Sequence, residues 1–488
     1  MLQSPKFLLS FLLVLLGILP SSHSQEQKAE PPALKTNRSE ESYDYLKNLE
    51  SNPYSKAFGD PLKFIPLNDT GSIYLSFGGS YRARLESFTN QDWSTSDDTY
   101  FSQRLSLHSS IQLGKHIHLF GELYHGLTTG EDRLFQDDDI DWHQGFVEFS
   151  FGDQEKTALD IRLGRQELDL GVARLVGRRD GTNIRRSFDL VMLKVGNAAT
   201  HARLFYGKEV SPQVGAFDNE FTLMDAEATN PKLWGLYVQW PLKEEVHTFE
   251  TYYLGFQSDL SRMSDQLGQE TRHSLGLRSF GKVGRFTFNS ELVFQFGELG
   301  ESNIRAYNFE TDWKYIFPNI AWRPLVGIKL DLSSGDRELG DDKLQTFNPL
   351  FVNPGLYSLA AVNTPANLTS FHPSITLFPL KDLVVYMDYA LFYRTSRNDG
   401  LYAPPRFLSR PADGLEAKHI GDVLGINVKY EVNRNVSLNL LTSYFLAGEF
   451  IKASGPSENN LNGLFDHSVG SLKYKDENQL QKIAFQIK

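Results

Sequence analysis

The sequence contains no cysteine in 488 residues. Disulfides therefore cannot hold the chain together, and no thiol is available to carry a lipid anchor. Beyond residue 25 the sequence also lacks any run of about 20 apolar residues, the length that a membrane-spanning helix needs. These absences exclude a small disulfide-stapled domain and a helical membrane protein, so packing or backbone pairing must stabilise the chain.

One apolar run does occur, at the N-terminus. Lys6 precedes the apolar stretch Phe7–Leu19, and the small residues of Ser21–Ser24 follow it. A basic residue, a short apolar core and a small-residue cleavage site are the parts of a secretory signal peptide. We predict that residues 1–24 are a cleaved signal peptide. An uncleaved anchor is the less favoured alternative because the run is short.

The chain also lacks an excess of positive charge: it has 49 basic and 60 acidic residues, and its net charge is −11. An acidic chain of this kind is not expected to bind nucleic acid.

Residues 25–70 are polar, and we predict that they are weakly ordered. Length alone suggests about three domains. However, residues 71–488 keep the same residue pattern throughout and contain no proline- or serine-rich linker, which favours one large all-β unit.

Alternation of apolar and polar residues recurs along this unit. In Ser72–Phe88 the odd positions are mainly apolar, whereas the even positions include Arg82, Arg84 and Glu86. Successive strand side chains point to opposite faces, so one face is apolar and the other polar. The run exceeds the roughly 5–6 residues of a soluble strand and suits a tilted membrane-spanning strand of about 9–11. The same pattern recurs at Phe286–Phe296, Tyr307–Tyr315, Leu383–Arg394 and Val436–Leu446.

Alternating segments separated by polar turns are typical of bacterial outer-membrane barrels. The aromatic content of 13% suits girdles at the two membrane interfaces, and a mean hydropathy of −0.35 is compatible because the lumen and the loops are polar. We predict an antiparallel transmembrane β-barrel in the outer membrane, with room for 18 strands. A secreted β-sandwich or β-helix is less favoured, because sandwich strands are shorter and no short repeat is present.

Arginine is concentrated in one stretch of this acidic chain. Residues 162–186 read RLGRQELDLGVARLVGRRDGTNIRR and contain seven arginines against three acidic residues. Alternation places Arg162 on the lumenal face, like Arg82 and Arg84 in the first strand pattern. Further along, in residues 171–189, the clean alternation is lost and glycines recur. This change predicts a turn or an inward-folded segment before the strand pattern of 189–195.

These arginines have two interpretations. On the lipid face near mid-membrane each would cost about 2–4 kcal/mol, so they belong in the lumen or in loops. A guanidinium group presents paired donors that match a carboxylate, and arginines around a pore select anions. The sequence therefore predicts an arginine-lined pore for an anionic solute. The alternative is structural: lumenal arginines pair with acidic residues to brace the wall, or bind lipid phosphate at the rim.

The stretch RLGRQELDLGVARLVGRRDGTNIRRSFD, residues 162–189, resembles the signature region of the alginate export porin family. Further matches in order extend the resemblance over roughly residues 72–450; they lie at 291–298, 333–351, 367–402 and 443–450. The resemblance implies an 18-stranded outer-membrane barrel with an electropositive constriction. In the founding members this barrel passes alginate, a polyuronate, out of the cell.

By position, the resemblance implies solute-contacting roles for Arg165, Arg174, Arg178, Arg179 and Asn183. We add Arg185 of the same stretch, together with the lumenal candidates Arg162, Arg82 and Arg84. The expected function is a passive channel for acidic polysaccharide or its fragments, with no cofactor and with any driving force supplied by periplasmic proteins. Outer-membrane lipid is the other expected partner. The alternatives are an uptake porin for small anions and a plugged structural or adhesive barrel.

Enzymatic and metal sites are not predicted. The sequence lacks the G-x-S-x-G, H-E-x-x-H and phosphate-loop motifs. The acidic run Asp137–Trp142 lacks the glycine and the distal glutamate of a calcium loop, so we expect solvated loop acids there. His116 and His118 share a strand face, but no third ligand stands beside them, and a lumenal or interfacial position is expected.

Overall fold

Eighteen long antiparallel strands dominate the computed structural model, which describes residues 32, 34–47, 59–129, 136–223, 225, 229–243 and 246–469. We label them β1–β18 in chain order: Ile73–Thr89, Asp98–Leu113, Ile117–Thr129, Asp138–Asp153, Thr157–Gln166, Phe188–Gly196, His201–Glu209, Lys232–Lys243, His247–Met263, Gln266–Val283, Phe286–Leu299, Ser302–Ile316, Leu325–Ser333, Leu368–Leu380, Leu383–Arg394, His419–Asn433, Val436–Ala447 and Asn460–Val469. The predicted signal peptide, residues 1–24, lies outside the described residues.

The sheet closes on itself. Each strand pairs antiparallel with the next one in the chain, and β1 also pairs with β18, from Tyr81 opposite Val469 to Thr89 opposite Leu461. Closure leaves no long strand with an unpaired edge, which is what a sheet in a membrane requires. The predicted 18-stranded antiparallel barrel is therefore confirmed.

The two faces of the wall follow the alternation in the sequence. Within β1, Leu85 is 47% exposed on the outside, whereas its neighbour Arg84 is buried on the inside. On β11 and β12 the outward-facing Phe294 lies opposite Tyr307, and the inward-facing Glu291 lies opposite Glu310. An apolar exterior and a charged interior are the arrangement that a lipid bilayer selects.

The two ends of the barrel differ in the length of their connections. At one end the turns are short, for example residues 114–116, 197–200 and 434–435. At the other end four connections are long: 167–187, 210–231, 334–367 and 395–418. Outer-membrane barrels have short periplasmic turns and longer extracellular loops, so the end with the short turns is the periplasmic one.

Few other elements occur in the described part of the chain. Short strands lie at Ile65–Pro66, Lys343–Leu344, Leu401–Ala403 and Phe407–Arg410, short α-helices at Asp60–Lys63 and Glu449–Ser454, and 3-10 turns at Arg38–Glu40, Asp44–Leu46, Gln91–Trp93 and Pro354–Leu356. Among the described residues, none of these helices has the length and apolar character needed to cross a membrane.

Parts of several connections fold into the lumen. Residues of 167–187 and of 334–367 meet there, because Val176 and Phe351 form a parallel bridge and share one apolar core. Thr36–Ser39 from the N-terminal part of the chain are buried as well.

The predicted division into a signal peptide (1–24), a weakly ordered segment (25–70) and one all-β unit (71–488) stays a prediction.

Candidate functional site

The lumenal site is built on residues 167–187, which we call the crossing segment. It leaves the wall where β5 ends at Gln166 and rejoins it where β6 begins at Phe188. Gly171 begins the inward turn with a φ of +58°, and a Cβ there would lie 2.9 Å from the Tyr237 hydroxyl oxygen. Glycine meets both demands at little steric cost. The predicted inward-folded segment is thus present.

Apolar contacts hold the middle of the crossing segment in place. Leu175 and Val176 are buried in the largest apolar cluster, together with Phe351 of the connection 334–367. The Phe351 N–H donates to the Leu175 carbonyl oxygen at 2.8 Å, and the Gly177 N–H donates to the Phe351 carbonyl oxygen at 3.1 Å. A buried backbone needs such partners, so the two connections support each other inside the barrel.

Arg174 ties the crossing segment to one side of the wall. Its Nη1 lies 3.0 Å from Glu291 Oε2, and its Nε lies 2.9 Å from Glu310 Oε1. The two glutamates stand directly opposite each other on β11 and β12. The Tyr252 hydroxyl donates to the other Glu291 oxygen at 2.6 Å. One guanidinium therefore offsets the repulsion between two buried carboxylates.

Arg82 and Arg104 tie the crossing segment to the other side. Arg82 on β1 donates to the carbonyl oxygens of Asp180 and Thr182, at 2.8 and 2.9 Å, and to Asn183 Oδ1 at 3.0 Å. Arg104 on β2 pairs with the Asp180 carboxylate at 3.0 Å. In a ring of 18 strands, β1 and β2 lie nearly opposite β11 and β12. The segment consequently crosses the lumen.

A compact cluster of charges joins the first residue of the segment, Glu167, to its later residues Arg178 and Arg185. The Glu167 carboxylate accepts from His143 at 2.9 Å, from Arg178 at 3.1 Å and from Arg185 at 3.2 Å. Burial alone would raise the pKa of Glu167, but Arg185, His143 and Arg178 outweigh it, and the pKa is lowered. The pKa of Asp180 is lowered against the effect of burial in the same way, by Arg185 and by other guanidinium groups.

Arg178 and Arg179 sit side by side in different surroundings. Arg178 lies 3.1 Å from Glu167, and it is also close to Asp169. Arg179 Nε donates to Thr182 Oγ1 at 3.3 Å, and Arg179 adopts a left-handed backbone with a φ of 55°. Burial, together with the positive charge of Arg186, lowers the pKa of Arg179 to about 9. The negative charge of Glu209 acts in the opposite direction, and Arg179 stays charged at neutral pH.

The other candidate arginines also meet carboxylates. Arg165 forms a bidentate pair with Asp189, with distances of 2.8 and 3.1 Å, and donates to the carbonyl oxygens of Asn219 and Glu220 in the connection 210–231. Arg162 pairs with Glu148 at 2.6 Å.

Arg84 lies between two acids of the wall. It approaches Glu86 at 3.3 Å and Asp466 at 3.5 Å. Asn183 is fully buried, and its backbone N–H donates to Gln136 Oε1 at 2.9 Å. All nine candidate residues therefore face the lumen or lie within it, while contact with a solute stays a prediction.

Sequence reasoning missed several members of the site. The acidic partners Glu291 and Glu310 occupy the polar positions of recognised strand patterns, so their face was predictable but their pairing with Arg174 was not. His143 and Glu122 were also missed. Among the described residues they form, with Glu167, the one group of three ligand-type side chains whose atoms lie within 4.8 Å. Glu167 already receives two guanidinium groups there, which makes the cluster an ion-pair network.

The expectation of solvated acids at Asp137–Trp142 is wrong for Asp138 and Asp141. Both are buried at the start of β4. The Asn219 backbone N–H donates to Asp141 Oδ2 at 2.8 Å, and the Asn219 side chain donates to Asp138 Oδ2 at 3.2 Å. The connection 210–231 covers these carboxylates and uses them as acceptors, a long-range contact that the local sequence does not contain.

A closed barrel with an apolar exterior and a charged lumen defines an outer-membrane β-barrel protein. Residues 73–464 match the model of the alginate export family, so the chain belongs to that family. A search of curated proteins finds no match. The barrel is similar to a BenF-like porin from Pseudomonas fluorescens Pf-5, with a TM-score of 0.52 and 12% identity, over 81% of this chain and 99% of that chain.

Two further solved porins share the fold. OccAB1 from Acinetobacter baumannii has a TM-score of 0.51 and 11% identity, over 80% of this chain and 96% of that one. OccK2 (OpdF) from Pseudomonas aeruginosa, solved in complex with glucuronate, has a TM-score of 0.50 and 10% identity, over 81% of this chain and 97% of that one. At such identities the likeness concerns the fold alone. Membership of the alginate export family, together with the closed barrel, places the chain in the bacterial outer membrane.

Proposed function

We propose that this porin is a passive channel for acidic carbohydrate of the uronate class, an alginate-like polyuronate or its fragments. One observation carries the proposal: the crossing segment brings the guanidinium groups of Arg174, Arg178, Arg179, Arg185 and Arg186 across the lumen between opposite walls. A solute that passes through the barrel must pass beside this segment.

Carboxylate pairing is compatible with an anion-selective role. An arginine has five N–H donors, and a carboxylate pair engages only some of them. The pairs fix the direction of each guanidinium group, so less side-chain entropy is lost when a solute carboxylate arrives. The bracing interpretation and the solute-contacting interpretation can therefore apply to the same arginine.

Two positions favour an anion most. Arg82 donates to three oxygen atoms that carry no net charge, those of Asp180 O, Thr182 O and Asn183 Oδ1. The positive charge of Arg186 lowers the pKa of Arg179, against the negative charge of Glu209, which raises it. An incoming carboxylate would relieve this repulsion, and inside a narrow lumen the attraction is only weakly screened by water.

The comparisons add support of two kinds. Membership of the alginate export family favours a polyuronate as solute. The porin OccK2, which shares the fold, was solved with glucuronate, a uronic acid. The competing function is an uptake porin for other small anions, which needs the same positive lumen but no preference for a polymer.

Planar-bilayer recordings of the purified porin test the proposal. We expect a reversal potential in a salt gradient that indicates anion preference, together with current block by short oligouronates but not by neutral glucose oligomers of equal length. Arg179→Gln should reduce the preference for anions. A local contribution of about 1 kcal/mol corresponds to roughly a fivefold change in the permeability ratio.

Arg397→Gln is the matched control, because Arg397 is an exposed arginine outside the lumenal site, paired with Glu416. It removes one positive charge and should leave the reversal potential unchanged. Each variant must first show the barrel's heat-dependent gel shift. Equal block by neutral and acidic oligomers would contradict uronate preference, and block only by small anions would support the uptake porin.

A further inference from the structure

The N-terminal segment Lys35–Lys47 lies inside the barrel, on the periplasmic side of the crossing segment. Arg434, in the turn between β16 and β17, donates to the Pro32 carbonyl oxygen at 2.9 Å. Five residues later, Asn37 contacts Gln144 of β4. Five residues span at most about 18 Å, so the chain runs from the periplasmic rim directly towards the middle of the wall.

The tip of this segment, Thr36 and Asn37, accepts hydrogen bonds from side chains of the lumenal site. Arg185 Nη1 donates to the Thr36 carbonyl oxygen at 3.3 Å, and Gln144 Nε2 donates to Asn37 Oδ1 at 3.3 Å. Both distances exceed the usual 2.9–3.0 Å of an N–H···O bond. Both acceptors are also neutral, whereas a guanidinium group binds an ionised carboxylate about twice as strongly. The same two nitrogen atoms also donate to carboxylates, Gln144 Nε2 to Glu122 at 2.8 Å and Arg185 Nη1 to Glu167 at 3.2 Å. The tip is therefore the weaker of two acceptors on each nitrogen, and the one that a sugar acid can replace.

Much of the segment is organised by its own residues. The Lys35 N–H and the Arg38 guanidinium both donate to the Glu41 carboxylate, at 2.7 and 2.8 Å. Asn37 Oδ1 accepts from the Ser39 N–H at 3.1 Å and from the Ser39 hydroxyl at 2.8 Å. Internal bonds of this kind survive when a segment moves as one body, whereas displacement breaks its contacts with Gln144 of the wall and with Arg185 of the crossing segment.

A second set of contacts holds the base of the segment at the periplasmic end. The Lys63 ammonium lies 5.0 Å from the centre of the Tyr43 ring, and Phe64 packs on Tyr74 with ring centres 4.7 Å apart. The short strand Ile65–Pro66 pairs with β1. These contacts tether the segment beside the lumen, which keeps its effective concentration high after the tip has left.

We propose that Gln144 and Arg185 form a binding subsite for a sugar acid, and that the Thr36–Asn37 tip of the N-terminal segment occupies this subsite until the sugar displaces it. The inference rests on the proposed function. A carboxylate takes the Arg185 donor from the Thr36 carbonyl oxygen, and a sugar hydroxyl or ring oxygen takes the Gln144 donor from Asn37. Binding of the sugar and docking of the segment then exclude each other.

The absence of cysteine from the chain makes a direct test possible. Ser39 is buried beside the tip, and Ser42 is exposed in the same segment. Ser39→Cys should react slowly with a maleimide in the full-length porin, because labelling needs the tip to leave. A saturating uronic acid trimer should speed this labelling about tenfold or more. Ser42→Cys is the control, whose fast labelling the trimer should not alter.

Current block by the same trimer separates the possible outcomes. Block together with faster labelling of Ser39→Cys supports the subsite. Block without any change in labelling overturns the subsite and leaves the proposed function standing, whereas the absence of both overturns both.

A second variant provides an independent arm. Gln144→Asn shortens the donor by one methylene and should speed the basal labelling of Ser39→Cys while weakening the block. Unchanged labelling and block in this variant would also overturn the subsite. The heat-dependent gel shift confirms that each variant forms the barrel.

Discussion

Removal of the Arg174 guanidinium should loosen the crossing segment and weaken the barrel. Arg174 is buried between Glu291 and Glu310, which it contacts at 3.0 and 2.9 Å. In Arg174→Gln the two carboxylates face each other across neighbouring strands without the guanidinium that touches both, while Lys329 stays 3.5 Å from Glu310. Loss of one partner from a buried ion pair costs about 3–5 kcal/mol, and like charges directly opposite on paired strands add to the loss.

Urea titration of the folded fraction, followed by the heat-dependent gel shift, measures the free energy of unfolding in this variant. The double variant Arg174→Gln/Glu291→Gln is the control, because it removes one of the two opposed charges and should recover a large part of the loss. Single-channel conductance should rise or become noisier in the single variant, since the segment is no longer held against β11 and β12. Unchanged stability and conductance in Arg174→Gln would refute the bridging role.

Three further predictions test other parts of the barrel. Arg165→Lys loses the bidentate pair with Asp189 and the donors to Asn219 and Glu220, so limited proteolysis should cut the connection 210–231 faster. Burial and the nearby Asp399 raise the pKa of Asp336 to about 6. The folded state therefore keeps a proton that the unfolded state loses near pH 4, and stability falls as pH rises from about 4 to 6. Asp336→Asn should flatten that slope in urea titrations, and a slope unchanged by the substitution would exclude Asp336 as its source. Leu277→Arg puts a charge on the lipid face, and urea titration should show a loss of about 2–4 kcal/mol if the site lies near mid-membrane.

Alternation made the wall predictable from the sequence. The period of two assigns each side chain to a face without any knowledge of its neighbours, which is why Leu85 and Arg84 could be placed on opposite sides. The loss of that period in the glycine-punctuated residues 171–189 similarly indicated an inward-folded segment. Both inferences use information that is local in the chain.

Partners across the lumen could not be predicted in this way. Arg174 and Glu291 are separated by 117 residues. Nothing in the local sequence around the acidic residues of β11 and β12 indicates which arginine pairs with them. The same limitation explains the error at Asp138 and Asp141, which local sequence describes as loop acids. Their burial depends on Asn219, which arrives from another connection.

The concentration of arginine in an acidic chain has an explanation in these distant partners. The stretch 162–186 holds seven arginines and three acidic residues, so it carries an excess of positive charge. The lumenal wall carries carboxylates that stand opposite each other, such as Glu291 and Glu310, and these need cations to stay ionised when buried. The proposed anion selectivity would then depend on the guanidinium donors that carboxylates of the protein do not occupy. We expect Arg82, which donates to three uncharged oxygens, to influence a passing anion more than Arg174, which pairs with two carboxylates.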